Sequence, residues 1–189
     1  MRRRPAVFLD RDGTIIEESG YLERLERLVF FPYSVDAIRV LNRAGFAVVV
    51  ITNQAGIARG IVKPSFPHEV HQYIAARVEA GGARIDGFYY CPHYTSGTVT
   101  EFVRACDCRK PAPGMLKHAA ADLNLDLPAS FAVGDRWHDV AAATAVGARG
   151  VLVRSGLGRC EETAPEPGTR PAAIVDDLAA AAAWILEQA

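Results

Sequence analysis

Asp10 and Asp12 stand two residues apart in Asp10-Arg11-Asp12-Gly13-Thr14, directly after the apolar run Ala6-Val7-Phe8-Leu9. On extended backbone, residues i and i+2 point the same way, so both carboxylates can face one substrate. A carboxylate can attack phosphorus and form an aspartyl-phosphate. A second one can protonate the leaving oxygen and then take a proton from the incoming water. On this reading Asp10 is the nucleophile and Asp12 the general acid/base. The plain alternative is an Asp-Gly turn after a strand.

Two anions repel a phosphate ester, so this chemistry calls for a hard cation. Magnesium fits a site of carboxylates, phosphate oxygens and water. Asp10 and Asp135 are the natural side-chain ligands, although an aspartate at 135 also serves as a turn residue or helix cap. Asp139 reads as a supporting or helix-start residue. Phosphate also needs donors: the Thr52 hydroxyl and the Asn53 amide can supply them. Lys110 offers a point charge and Arg109 a planar fork. A solvated basic pair is the alternative for Arg109-Lys110, but rigid Pro111-Ala112-Pro113-Gly114 follows it and would hold Lys110 in place.

Cys91-Pro92-His93 and Cys106-Asp107-Cys108 form two pairs of i, i+2 residues with twelve residues between them. Three thiols and an imidazole make a closed tetrahedral set suited to structural zinc. A disulfide with a spare thiol is the alternative. A closed set has no open position, so the expected role is to pin the loop carrying Arg109 and Lys110. Cys160 reads as a plain thiol. His68 and His71 read as surface residues, and His138 receives no role.

These residues need elements to position them. Phe46-Ala47-Val48-Val49-Val50-Ile51 is apolar and β-branched, as a central parallel strand should be. Phe88-Tyr89-Tyr90, Ser130-Phe131-Ala132-Val133 and Gly150-Val151-Leu152-Val153 read as further strands. Helices are expected over 33–44, where Val35, Ile38 and Leu41 recur, and over 66–79, 113–123, 139–146 and 177–188. Residues 161–171, with Pro165, Pro167 and Pro171, read as an irregular loop. Alternating strand and helix predict an α/β fold: a Rossmann-like parallel sheet with helices on both faces and no large cap. The whole chain, 1–189, reads as one domain with an insertion at about 91–109. The acidic residues then fall at the carboxyl ends of strands, where open α/β sheets bind ligands.

The formal net charge of −1 provides no field for nucleic acid or an anionic membrane. No apolar run approaches the roughly 18 residues needed to span a bilayer. The basic start Met1-Arg2-Arg3-Arg4-Pro5 lacks a following h-region and reads as a solvated tail. A cytoplasmic protein with reduced thiols follows, and a monomer is the simplest state.

Asp10-Arg11-Asp12-Gly13-Thr14, Thr52-Asn53-Gln54, Lys110-Pro111 and Gly134-Asp135 through Asp139 resemble the four ordered motifs of the haloacid-dehalogenase-like phosphatases. The resemblance spans about Ala6 to Asp139. It implies that Thr52 and Lys110 assist at the phosphoryl group and that the Asp12 carbonyl joins Asp10 and Asp135 around magnesium. Within that superfamily, the cysteine-histidine loop and its long spacer are most similar to the heptose-bisphosphate phosphatases. The segments Ser19-Gly20-Tyr21, Thr52 to Gly60 and Gly97 to Phe102 are similar to them too. This resemblance implies substrate contacts at Arg11, Glu18, Ser19, Gly20, Tyr21, Asn53, Gln54, Ala55, Arg109 and Arg136. It also implies a place on the route to heptose for surface polysaccharide. Departures are Ala55 for a common serine, Arg136 for a common lysine, and a divergent 61–67. Histidinol-phosphate phosphatases, with a shorter loop, are the rival branch; a non-catalytic zinc module is the rival class.

Overall fold

The computed structural model describes residues 3–188. Met1 and Arg2, part of the expected basic tail, lie outside them. Arg4 is no solvated tail. Its guanidinium donates to the carbonyls of Gly45 and Phe46 at 3.1 and 2.9 Å, and pairs with Asp86 at 3.2 Å. Three acceptors converge below the first strand, and only a long planar donor reaches all of them.

Six parallel strands form the sheet: β1 (Ala6–Leu9), β2 (Ala47–Asn53), β3 (Gly87–Cys91), β4 (Phe131–Gly134), β5 (Arg149–Val153) and β6 (Ala173–Val175). Their spatial order is β3-β2-β1-β4-β5-β6, so the chain first builds outward on one side of β1 and then on the other. The reversal lies between β1 and β4. Crevices that hold ligands open at such switch points, at the carboxyl ends of the strands.

Helices cover both faces: α1 (Ser34–Arg43), α2 (Ala55–Ala58), α3 (Phe66–Ala80), α4 (Gly114–Leu123), α5 (Trp137–Thr144), α6 (Gly158–Thr163) and α7 (Leu178–Glu187). Alternation within β1 divides the core. Val7 and Leu9 join Ile38, Leu41, Ile74 and Ile185 from α1, α3 and α7. Ala6 and Phe8 point the other way, toward Met115, Leu116 and Ala142 from α4 and α5. Burial on both faces explains why β1, β2 and β4 read as unbroken apolar runs rather than alternating ones. α1 ends at Gly45, whose φ of +91° lets the chain turn directly into β2.

Three elements differ from expectation. α2 has four residues, too few for any periodic pattern. α6 occupies the start of the segment read as irregular; it carries no apolar stripe. β6 is a three-residue edge strand paired with β5. His71, expected at the surface, is buried: α3 turns it onto the Phe88 ring at 4.7 Å. Burial holds its pKa down at about 3, so it is neutral. No helix among the described residues is long and apolar enough to cross a membrane.

Phe8 is fully buried in the centre of the sheet. Phe8→Ala is expected to cost about 3–5 kcal/mol of stability, read from the midpoint of urea unfolding. A loss below about 1 kcal/mol would contradict the packing described.

Candidate active site

β1 and β4 run side by side with Leu9 opposite Val133, so the residues that follow them emerge together. The Asp10 amide donates to the Val133 carbonyl at 2.9 Å. Asp135 follows at the end of β4. One of its oxygens, Oδ2, accepts from the Leu157 amide at 2.8 Å; the other, Oδ1, is buried without a partner. Gly13 turns the chain past Asp135 at φ +81°, and a Cβ there would overlap the Asp135 carboxylate. Only glycine lets the acidic loop and Asp135 close on each other.

Lys110 reaches into this acidic group from the loop before α4, with its side chain fully buried. Its Nζ lies 2.8 Å from Asp10 Oδ1 and 2.6 Å from Asp139 Oδ1. It also donates to the Ile51 carbonyl at 2.9 Å. Burial alone would discharge the ammonium, but Asp10 and Asp139 outweigh it and hold its pKa above the ordinary lysine value. Asp139 also accepts from the Arg136 amide at 3.2 Å, which ties the start of α5 to Lys110. Asn53 supports the lysine from β2. Its amide nitrogen donates to the Lys110 carbonyl at 3.0 Å and its oxygen accepts from the Lys110 amide at 3.1 Å. The Asn53 amide, read from the sequence as a phosphate donor, is thus engaged with backbone.

Asp12 is braced from three sides. Arg11, whose side chain is almost wholly buried, pairs with it at 2.8 Å. Gln54 donates to it at 3.2 Å and Thr52 at 3.4 Å. Gln54 also donates to the Thr52 hydroxyl at 2.8 Å. Arg11 and Gln54, read as substrate contacts, line the cleft while orienting Asp12.

The cleft above these groups has a volume of about 480 Å³. Glu18, Gly20 and Tyr21 form one wall, Thr52, Asn53, Gln54 and Ala55 another, and Arg109 and Arg136 flank it. Ser19 is exposed and off the wall; its carbonyl accepts from Arg27 at 3.2 Å. The Gly20 amide donates to Glu18 at 2.6 Å, which shapes that wall. Leu22, Gly56, His138 and Leu157 also line the cleft, and sequence reasoning assigned them nothing. His138 had one signal, its place between Asp135 and Asp139. Leu157 had none, because the loop after β5 enters the site only through folding.

Four carboxylates (Asp10, Asp12, Asp135 and Asp139) meet two cations here, Lys110 and Arg11. Burial and the neighbouring acids together raise the pKa values of two of the carboxylates. Burial first, then Asp139 and Asp12 against the opposing Lys110, push Asp10 up to about 7. Burial, then Asp10 and Asp139, push Asp135 up to about 8. A divalent cation would balance that excess, and the orphaned Asp135 oxygen is a suitable ligand for it. Asp10, His138 and Asp139 offer potential ligand atoms all within 4.8 Å of one another. Burial lowers His138 to about 4, so it is a neutral imidazole at pH 7.

Cys91, His93, Cys106 and Cys108 also converge within 4.8 Å. The Sγ–Sγ separations are 3.0, 3.3 and 3.5 Å, and His93 Nδ1 lies 3.3 Å from Cys108. These exceed a disulfide bond of about 2.05 Å. They lie just inside the roughly 3.8 Å edge of a tetrahedron with metal–sulfur distances of about 2.3 Å. The four side chains could hold zinc with small outward shifts. Arg104 lies 2.7 Å from His93 Nε2. With a metal on Nδ1 that nitrogen carries a hydrogen, so Arg104 must turn away.

A parallel sheet bearing acidic loops at its switch point is the frame of the haloacid-dehalogenase-like hydrolases. The family model described as HAD-hydrolase-like matches residues 107–181. At a finer level, the chain is 46% identical over 154 residues to a D-glycero-beta-D-manno-heptose-1,7-bisphosphate 7-phosphatase of Escherichia coli K12, covering 80% of each. It is 44% identical to the Yersinia pestis protein of the same name, over 80% of this chain and 81% of that one. A crystal structure of the D,D-heptose 1,7-bisphosphate phosphatase of B. bronchiseptica, with magnesium and phosphate, superposes at a TM-score of 0.85 with 32% identity. That match covers 98% of this chain and 99% of the other. The chain belongs to the D-glycero-beta-D-manno-heptose-1,7-bisphosphate 7-phosphatase family and is a phosphatase.

The raised acids set a pH dependence. Asp10 and Asp135 have folded pKa values above the ordinary 3.8, so folding takes up protons in between. Their contribution to stability is present at low pH and is lost as pH rises through about 7 and about 8. Metal-free protein is expected to melt at lower temperature at about pH 8.5 than at about pH 5.5, and magnesium should raise Tm more at the higher pH. An equal magnesium response at both values, measured by calorimetry, would contradict the excess charge.

Proposed function

We propose that this protein removes the 7-phosphate from D-glycero-beta-D-manno-heptose 1,7-bisphosphate through an aspartyl-phosphate on Asp10. The observation that carries the reading is the buried contact of Lys110 with Asp10, beside the unpartnered Asp135 oxygen, at the floor of a cleft rimmed by arginines. The names of the similar proteins supply the substrate and its anomer.

An Asp10 oxygen attacks the 7-phosphorus; that P–O bond forms as the bond from phosphorus to the sugar oxygen breaks. Asp12 gives its proton to the departing sugar oxygen. Water then attacks phosphorus, Asp12 takes its proton, and the bond to Asp10 breaks to release inorganic phosphate. Thr52 and Lys110 donate to the phosphoryl oxygens as charge builds on them. Arg11 and Gln54 keep Asp12 aimed at the leaving oxygen. Magnesium, held by Asp10, the Asp12 carbonyl and Asp135, supplies charge neutralisation between the acids and the phosphate. Zinc would be held by Cys91, His93, Cys106 and Cys108, where it would be structural and keep the loop closed behind Lys110.

Arg109 is the donor for the second phosphate, since its fork suits a phosphate and it lies on the cleft rim. Glu18, Gly20, Tyr21, Asn53, Ala55 and Arg136 complete the substrate-facing surface. The chain works as one domain, a cytoplasmic monomer, and its product is a heptose 1-phosphate for surface-polysaccharide synthesis.

Phosphate release from heptose 1,7-bisphosphate and from histidinol phosphate, compared with magnesium present, tests this. Asp10→Asn is expected to lower kcat by at least about 10³-fold on the bisphosphate while the fold persists. Preference for histidinol phosphate would overturn the substrate, and an active Asp10→Asn would overturn the nucleophile. Removal of zinc by a chelator, or Cys106→Ser, is expected to lower Tm by more than about 5 °C in calorimetry. One equivalent of zinc by elemental analysis is expected in the untreated protein.

A further inference from the structure

The loop between the two halves of the cysteine-histidine cluster does more than join them. It folds back onto α2, the segment directly after Gln54. The amides of Thr98 and Val99 both donate to the Ala58 carbonyl at 3.0 Å, and the Thr98 hydroxyl donates to the Arg59 carbonyl at 3.0 Å. Gly97 permits this approach, because a Cβ there would overlap the Ala58 carbonyl. The docked loop presents Tyr94. Its backbone is fixed on both sides: its amide donates to the Phe102 carbonyl at 3.1 Å, and its carbonyl accepts from Arg104 at 3.0 Å.

Two guanidiniums lie over the Tyr94 ring. Arg109 Cζ is 4.8 Å from the ring centroid and Arg59 Cζ is 4.6 Å from it. Arg109 also donates to the His93 carbonyl at 3.3 Å. Arg59 lies 5.8 Å from the ring centroid of Tyr21, a residue of the cleft wall. Among the described residues, the other arginines of the cleft have carboxylates within 4.0 Å: Arg11 has Asp12 and Arg136 has Glu161. Arg109 and Arg59 have none. Two unneutralised cations gathered on one ring repel each other, and a dianion relieves that repulsion. The ring face attracts each cation and fixes its place without using any of its N–H donors. Apart from the one given to the His93 carbonyl, the donors of Arg109 stay available to a ligand.

We propose that Tyr94 is the positioning residue for recognition of the second phosphate: its ring holds Arg109, with Arg59 beside it, at the cleft rim. This rests on the bisphosphate reading above. Tyr94 has hydrogen bonds with Phe102 and Arg104 and none with Asp10 or Lys110, so it acts on binding of the bisphosphate and not on the bond-breaking step. The loop thereby acquires a second task, specificity, besides closing behind Lys110.

Tyr94→Leu and Tyr94→Phe separate this from a structural role, because both stay apolar and only phenylalanine keeps the ring. For the heptose bisphosphate, Tyr94→Leu is expected to raise KM about tenfold with kcat within about twofold of wild type. Its KM for p-nitrophenyl phosphate, which has no second phosphate, is expected to stay unchanged, and Tyr94→Phe should match wild type on both substrates. A second measurement needs no substrate. The Arg109 Nε–H resonance, assigned by its loss in Arg109→Lys, is expected to be shifted by the ring current in wild type and Tyr94→Phe. An Arg109 resonance at the free-arginine position in wild type would overturn the proposal even if Tyr94→Leu failed to fold. An unchanged bisphosphate KM in folded Tyr94→Leu would overturn it too. Wild-type protein with no preference for the bisphosphate would instead overturn the substrate reading, while the resonance still decides whether Tyr94 positions Arg109.

Discussion

Lys110 places an ammonium where water does not reach, and an isolated charge there would cost several kcal/mol. Its side chain is wholly buried, and its partners come from three elements: Asp10 after β1, the Ile51 carbonyl in β2 and Asp139 in α5. The lysine itself arrives on a loop that has no reason to stay closed unless it is held. Much of the surrounding structure serves to hold it. Asn53 grips the Lys110 backbone through both ends of its amide. The Gly114 amide closes the loop onto the Asp107 carbonyl at 2.8 Å. The cysteine-histidine cluster gathers the chain immediately before it. The charge triad makes the strand ends, the loop and the start of α5 one rigid unit.

Charge is divided by depth. The floor of the cleft carries more carboxylates than cations; burial first, and then the neighbouring acids, keep Asp10 and Asp135 well above the usual aspartate range. The rim carries Arg109 and Arg136, with Arg59 close behind. The whole chain is close to neutral, with a formal net charge of −1. Attraction for a phosphorylated ligand is therefore local to the rim, and the floor accepts a phosphate only in company with a cation. That arrangement suits a small dianionic ester better than a long polyanion, which would need an extended basic track.

Pattern alone revealed the sheet where strands are buried on both faces. β1, β2, β4 and β5 are short, largely apolar and rich in β-branched residues, as strands covered on both faces are. The elements that escaped notice, α2, α6 and β6, have four, six and three residues. They are too short for a period, and they form because neighbours supply partners: β6 pairs with β5, and Glu161 of α6 accepts from the Trp137 amide at 2.9 Å. His71 was misplaced for the related reason that one histidine carries no sign of which helix face will be covered.

The sequence by itself determined which residue types stand at which strand ends, and therefore the fold class, the acidic pair, the lysine and the thiol–imidazole set. Those follow from local order: a strand must end somewhere, and what comes next is written in the chain. Only the tertiary structure decided which side chains are free to meet a ligand. Asn53, Gln54 and Arg11 all read as donors for a substrate, yet each has a protein partner contributed by folding. Arg59, unremarked among its neighbours, shares the Tyr94 ring with Arg109 across a long stretch of chain. Hydrogen-bonding capacity is finite and directional, and its allocation depends on distances that exist only once the elements have packed.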